Sequence, residues 1–301
     1  MTGVASVKCP DCETENVHDI GLLNISDTFA GIKVEPLVSR LYGCDSCHLG
    51  FRAPRFASNK ILDLYASAKL NVWKQIEPPE PWKVIYLSLK KIAPKTILDF
   101  GCFAGDFLHK MPIQCKKFGI EPSLEGGNEA RRQGIEILGR TALDLSENIK
   151  FDVITLLDVI EHVEKPSVLM CALAAQLNPG GRLFVLTGAY DSFWFRLLAP
   201  RFWYCSIGEH LVFISKKWSI RFADSHGLQL INYDLIAYEP KSKSKTLVEV
   251  ARALAFSIVV PILMRIPKIA KIFGMGRFLL WKNAPTVMSC KDHVIAVFQK
   301  K

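Results

Sequence analysis

The chain has 301 residues, half of them hydrophobic and 22% charged, which suits one large core plus a small module and excludes a disordered chain. Its net charge of +9 is unevenly spread: residues 1–240 carry 26 Lys/Arg against 27 Asp/Glu, and residues 241–301 carry 12 against 2. The basic character therefore belongs to the last sixty or so residues, and its partner is to be sought there. The opening MTGVASVKCP has neither a basic n-region nor an apolar h-region, so no secretory signal is expected. Four of the nine cysteines form two Cys-x-x-Cys pairs and the rest are scattered singly, a pattern that suits a metal site in a reducing compartment better than a disulfide framework.

Residues 1–57 hold both pairs, Cys9-Pro-Asp-Cys12 and Cys44-Asp-Ser-Cys47. Each pair can occupy two corners of one tetrahedral Zn²⁺. The 31 residues between the knuckles are expected to form a β-hairpin. With so little apolar sequence, the module is expected to need its metal to fold. Four thiolates close the coordination sphere and leave no open position, so the zinc is given a structural role.

Residues 58–95 read as two helices separated by prolines, with Ile61, Leu62, Leu64, Tyr65 and Ala68 at helical spacing. They form a helical collar from which Tyr65 and Trp73 can reach a pocket. Beyond residue 96, strands are predicted at 97–100, 118–121, 135–138, 151–157, 182–187 and 228–235. Helices are predicted from 105 and over 124–133, 168–177 and 217–227. This alternation argues for a doubly wound α/β parallel sheet. A last strand at 293–299 follows a helical, apolar and basic insertion over 240–287.

TILDFGCFAGDFL, residues 96–108, is a strand, a glycine turn through Gly101 and Gly105, and a helix start. Such a turn brings backbone N–H groups against a nucleotide-like ligand. With the acids in GIEPS and TALDL, with FDVITLLDVIEHVEKP and with LNPGGRLFVLT, residues 96–239 plus 288–301 resemble a class I S-adenosylmethionine-dependent methyltransferase. Glycan-biosynthesis methyltransferases of this type carry a similar zinc-ribbon-like module. The resemblance implies a Rossmann-like seven-stranded sheet, six strands parallel and one antiparallel. It places S-adenosylmethionine against Asp99, Gly101, Cys102 and Gly105, with Glu121 at the ribose, Leu143 and Asp144 at the adenine, and Asp158 at the carboxyl end of the fourth strand. Phe103 departs from the family's glycine pattern at its middle glycine.

On the acceptor side, Phe193, Trp194, Phe195, Phe202, Trp203 and Tyr204 follow the fifth strand and suit an aromatic pocket wall or lid, or equally burial against the insertion. Methyl transfer to a hydroxyl needs a base. Glu209–His210 is the leading pair, and a similar pair serves sugar C-methyltransferases; Asp158, His162 and Tyr190 are the weaker candidates. The expected acceptor is a saccharide or lipid-linked intermediate, methylated at a hydroxyl oxygen. Apolar residues interleaved with Arg252, Arg265, Lys268, Lys271, Arg277 and Lys282 suit a helix pair on an anionic membrane surface, against a rival reading as an active-site cap or dimer contact. The protein is then cytoplasmic and peripheral at the inner face of the membrane. Alternatives are an rRNA methyltransferase or a non-catalytic membrane-docking protein that keeps the fold. A nucleic-acid partner is disfavoured, because residues 1–57 carry more acidic than basic residues.

Overall fold

A computed structural model describes residues 7–26, 28–29, 32–35, 37–73, 76–265 and 284–301. The amino-terminal part contains β1 (Val17–Leu22), a small hairpin of β2 (Thr28–Phe29) and β3 (Ile32–Lys33), then β4 (Arg40–Cys44) and β5 (Gly50–Ala53). β1 pairs antiparallel with β4, and β4 with β5. Between the knuckles lie the antiparallel pair β1 and β4 and, in their connection, the small β2–β3 hairpin, whereas β5 joins β4 from beyond the second knuckle. The collar follows as α1 (Ser58–Ala66) and α2 (Glu80–Ile92). Pro81 opens α2, where its missing N–H costs nothing, and Ala93 ends it in a left-handed conformation.

The large domain runs β6 (Thr96–Phe100), α3 (Asp106–Lys110), β7 (Lys116–Ile120), α4 (Leu124–Arg132), β8 (Glu136–Gly139), β9 (Phe151–Leu157), α5 (Pro166–Ala175) and β10 (Leu177–Gly188). It continues as α6 (Phe193–Leu198), β11 (Val212–Phe213), α7 (Lys216–Ser225), β12 (Leu228–Ala237), α8 (Lys243–Arg265) and β13 (Lys291–Lys300). Seven strands form one sheet in the order β12-β13-β10-β9-β6-β7-β8. β13 alone runs antiparallel, paired with both β10 and β12. The Rossmann-like sheet of six parallel strands and one antiparallel strand is the expected architecture. Central strands such as β9 are buried on both faces, which is why FDVITLL reads as an apolar run rather than an alternation.

Two elements differ from the sequence expectation. β10 begins at Leu177 and passes through Asn178-Pro179-Gly180-Gly181, where pairing with β9 jumps from Leu177 to Arg182. The turn residues make a bulge inside a strand instead of preceding it. The second difference concerns β11, which pairs with β5 and completes the four-stranded sheet β1-β4-β5-β11. The amino-terminal module therefore shares its sheet with a segment more than 150 residues downstream.

α8 lays Ala253, Phe256 and Val260 against Trp194, Phe195, Leu198 and Phe202. Of the basic residues read in the insertion, Arg252 is exposed on α8 and Arg265 ends it. Lys268, Lys271, Arg277 and Lys282 lie outside the described residues.

Candidate active site

The carboxyl ends of β6, β7 and β9, where open α/β sheets bind ligands, meet a cavity of about 1200 Å³. Asp99, Gly101, Cys102, Glu121, Leu143, Asp158, His162, Glu209 and His210 all line it, as do Tyr65 and Trp73 of the collar. Gly105 lies in the turn behind it, at φ +80° as the N-cap of α3.

The glycine turn is tight. Gly101 has φ +77°, and a Cβ there would lie 2.6 Å from Val159 Cγ2. Phe103, in the place of the family's middle glycine, takes a left-handed φ of +44°. That conformation strains a side chain, and two contacts hold it. Its N–H donates to Glu121 Oε2 at 2.7 Å, and its ring meets Trp73 edge to face at 5.2 Å. Glu121 accepts a second bond at Oε1 from Ser123 N, also 2.7 Å. The carboxylate is thus oriented by both oxygens at the end of β7. Burial pushes Glu121 up to about 7 and Asp99 likewise to about 7, although Thr155 Oγ1 donates to Asp99 Oδ1 at 2.7 Å.

Asp144 is placed differently from its neighbours. It is exposed, and its Oδ2 accepts from the N–H groups of Arg140 and Thr141, both at 2.8 Å. Those bonds hold it below its ordinary value and cap the turn that presents Thr141, Ala142 and Leu143 to the cavity.

The opposite side of the cavity is built from buried polar groups. Asp158, left-handed at φ +55°, accepts from Tyr238 Oη at 3.0 Å. Burial, with Glu161 beside it, raises it to about 7. Glu161 accepts from Tyr204 Oη, and from Thr187 Oγ1 at 2.9 Å. His162 Nδ1 lies 3.1 Å from the Glu209 carbonyl, which can only accept, and 2.6 Å from Tyr65 Oη. His210 Nδ1 donates to the Tyr204 carbonyl at 2.9 Å. His210 therefore carries its proton on Nδ1 and its lone pair on Nε2. Burial keeps both imidazoles neutral, His210 well below its ordinary value because His162 is also near. Of the six aromatic residues predicted to wall the site, Trp203 and Tyr204 line the cavity. Trp194, Phe195 and Phe202 are buried in the cluster with α8, Phe193 is largely exposed, and Tyr190 lines a separate groove.

The four cysteine sulfurs lie within 4.8 Å of one another, with Cys9–Cys47 and Cys12–Cys44 at 3.6 Å. Thiolates about 2.3 Å from a tetrahedral zinc stand at nearly that separation, so the cluster fits the ion. Three residues that tie this module to the site went unread in the sequence. Arg52 of β5, almost wholly buried, donates to the carbonyls of Cys205, Ile207 and Gly208, each at 2.8 Å. Asp11, inside the first knuckle, accepts from Ser167 N at the start of α5 and from Trp218 Nε1 of α7, both at 2.9 Å. His48 offers its carbonyl to Ser215 Oγ, the N-cap of α7. A charged residue within the apolar run GFRA was the one available signal.

Fold and site together define a class I S-adenosylmethionine-dependent methyltransferase. The chain belongs to the methyltransferase-domain family, whose profile matches residues 81–233. It is 28% identical over 148 residues to the ubiquinone biosynthesis O-methyltransferase of Xanthomonas euvesicatoria pv. vesicatoria, a match covering 42% of this chain and 59% of that protein. The enzyme of the same description from Aeromonas salmonicida is 31% identical over 102 residues, 31% of this chain and 43% of the relative. The chain thus spans less than two thirds of these relatives. Among solved structures, the N-methyltransferase NodS of Bradyrhizobium japonicum with S-adenosyl-l-homocysteine aligns at 15% identity, with a TM-score of 0.46, over 81% of this chain and 98% of that one.

Proposed function

We propose that the chain transfers a methyl group from S-adenosylmethionine to a hydroxyl oxygen of a small acceptor, a saccharide or a lipid-linked biosynthetic intermediate. The bound cofactor supplies an electrophilic methyl group on a sulfonium; the chain's own residues bind, orient and take up the proton. The observation that carries this reading is Glu121. A carboxylate fixed at both oxygens at the end of β7, facing the cavity behind the glycine turn, is poised to accept from two ribose hydroxyls. Asp99, Gly101, Cys102, Gly105 and Asp158 surround the methionine half in this reading. Leu143 covers the adenine, and Asp144 acts by holding the turn that carries it.

For the acceptor, Glu209, His210, His162 and Asp158 face the same cavity, and the neutral Nε2 of His210 suits a hydrogen bond accepted from a hydroxyl group. The ubiquinone biosynthesis O-methyltransferases among the relatives support oxygen as the methylated atom. Cys9, Cys12, Cys44 and Cys47 hold a structural zinc.

Calorimetry tests the cofactor half. Glu121→Ala should weaken S-adenosylmethionine binding about thirtyfold, the effect of losing about 2 kcal/mol of charge-assisted hydrogen bonding. The cofactor is cationic and its ribose needs the ionised carboxylate, so affinity should fall as Glu121 protonates. With the group near 7, binding should be about tenfold weaker at pH 6 than at pH 8. No binding at either pH would sink the enzyme reading.

We further read α8 as a contact for an anionic membrane surface. Leu247, Ile258 and Ile262 are exposed on the side away from Ala253, Phe256 and Val260, with Lys243 and Lys245 exposed beside the first turn. Among the described residues no helix is long and apolar enough to cross a membrane. In flotation, phosphatidylserine vesicles should carry the protein, and replacing those three residues by serine should reduce the floated fraction severalfold. Equal partitioning of both forms would reject this contact. Such a protein would work peripherally at the cytoplasmic face.

A further inference from the structure

The strand that closes the sheet carries a polar pair that the sequence reading passed over. Because β13 is antiparallel to its neighbours, its first residues stand at the ligand edge, where the parallel strands end. His293 pairs with Gly188 near the end of β10 and with Ile236 near the end of β12. Its side chain lines the cavity. Asp292 and His293 are 0% and 2% exposed. The backbone beneath them is pinned, since Ala189 N donates to the Asp292 carbonyl and Asp292 N to the Cys290 carbonyl, both at 2.9 Å.

His293 Nδ1 lies 2.9 Å from Asp292 Oδ1. A carboxylate can only accept, so the proton sits on Nδ1 and the lone pair on Nε2. The ring is held by Tyr238 at 4.5 Å and, edge to face, by Tyr204 at 5.3 Å. Those tyrosines bond Asp158 and Glu161, the two other acids of the pocket floor. Asp292 on its own strand, Asp158 after β9 and Glu161 beyond it are the charged groups that face His293. Their combined field outweighs burial and raises its basicity, whereas burial lowers that of His162 and His210. A strong base is the one suited to accept a hydroxyl proton near neutral pH.

We propose that His293, held in its tautomer by Asp292, is the catalytic base for the hydroxyl methylation proposed above. The acceptor oxygen forms a bond to the methyl carbon as the carbon–sulfur bond breaks and leaves its electron pair on sulfur. The hydroxyl proton passes to Nε2 of His293 and leaves to solvent after product release. His210 and His162 then orient the acceptor through hydrogen bonds and do not take its proton. The inference rests on the hydroxyl reading, and its test separates the two.

The test uses the full chain, labelled S-adenosylmethionine and octyl β-D-glucopyranoside as the probe acceptor. His293→Gln should lower turnover by about 10²–10⁴-fold, with cofactor affinity within twofold of the parent. In the parent, turnover should rise with pH through a limb above about 6.5, the ordinary histidine value, because the base must be deprotonated and its neighbours raise it. His293→Gln should lose that limb, and Asp292→Asn should move it to lower pH. A folded His293→Gln that binds cofactor and turns over within threefold of the parent overturns the proposal. A second readout needs no acceptor. Histidine ¹⁵N spectra at pH 9 should show the ring that is lost in His293→Gln, or shifted by Asp292→Asn if that variant does not fold, protonated on Nδ1. Protonation on Nε2 overturns the proposal. A parent that ignores the glycoside while showing the Nδ1 tautomer fails the acceptor reading alone.

Discussion

Replacing Arg52 by methionine should cost about 3–5 kcal/mol and lower the melting temperature by about 5–8 °C, far more than a surface arginine would. The guanidinium donates to three carbonyls of the 205–208 segment; the Ile207 carbonyl keeps its bond from His210 N at 3.2 Å, and each carbonyl left without a partner costs about 1–3 kcal/mol. Burial lowers Arg52 only to about 10, so it remains protonated at neutral pH. Directly after these carbonyls come Glu209 and His210, and then Leu211, whose carbonyl accepts from Arg52 N at 2.9 Å and whose N–H donates to the Glu161 carbonyl at 2.7 Å. The module thus carries the Glu209–His210 loop on its sheet edge. Removing the zinc proposed at the four cysteines should act the same way, because β5 is joined to the second knuckle through β4. Cys44→Ser should reduce zinc from one ion per chain towards none and abolish acceptor methylation. Cofactor affinity should fall less than tenfold, because Glu121 and the glycine turn lie on other strands. Unchanged melting and turnover in both variants would show that the module is an independent appendage.

Gly101→Arg should abolish cofactor binding, a loss of at least a thousandfold by calorimetry. At φ +77° any side chain is strained by about 1–2 kcal/mol. A Cβ already overlaps Val159, and the rest of the arginine would fill the cavity with a charge that repels the sulfonium. Gly134→Ala separates the turn's role from backbone strain alone. Gly134 has φ +80°, but nothing lies within 4 Å of its Cβ position. That variant should lose about 1 kcal/mol and bind the cofactor as the parent does. If it also lost binding, the glycine turn would have no special part in holding the ligand.

Phe103 shows why the turn was only half legible. Its identity marked the departure from the family's glycine pattern, but nothing local indicated what would hold a phenylalanine at φ +44°. The answer is Glu121, eighteen residues on, and Trp73, thirty residues back.

Local signals in the sequence determined the strands and helices of the large domain, the glycine turn, the acids at the ends of β7 and β9, and the cysteine pairs. Each is written in neighbouring residues through apolar runs, a 3.6-residue period or a Cys-x-x-Cys spacing. Tertiary structure alone decided what those elements face. HVIAVFQ reads as one more buried strand, and only its antiparallel insertion puts His293 at the ligand edge. The aromatic stretch after β10 reads equally as a pocket wall or as core under the insertion, and only the packing of α8 divides it into a core half and a cavity half. The amino-terminal cysteines read as a separate module, and only the pairing of β5 with β11 makes it a support for Glu209 and His210. The physical reason is common to all three: strand direction, helix docking and sheet-edge pairing depend on residues 30 to 160 positions apart, and no local period encodes such contacts.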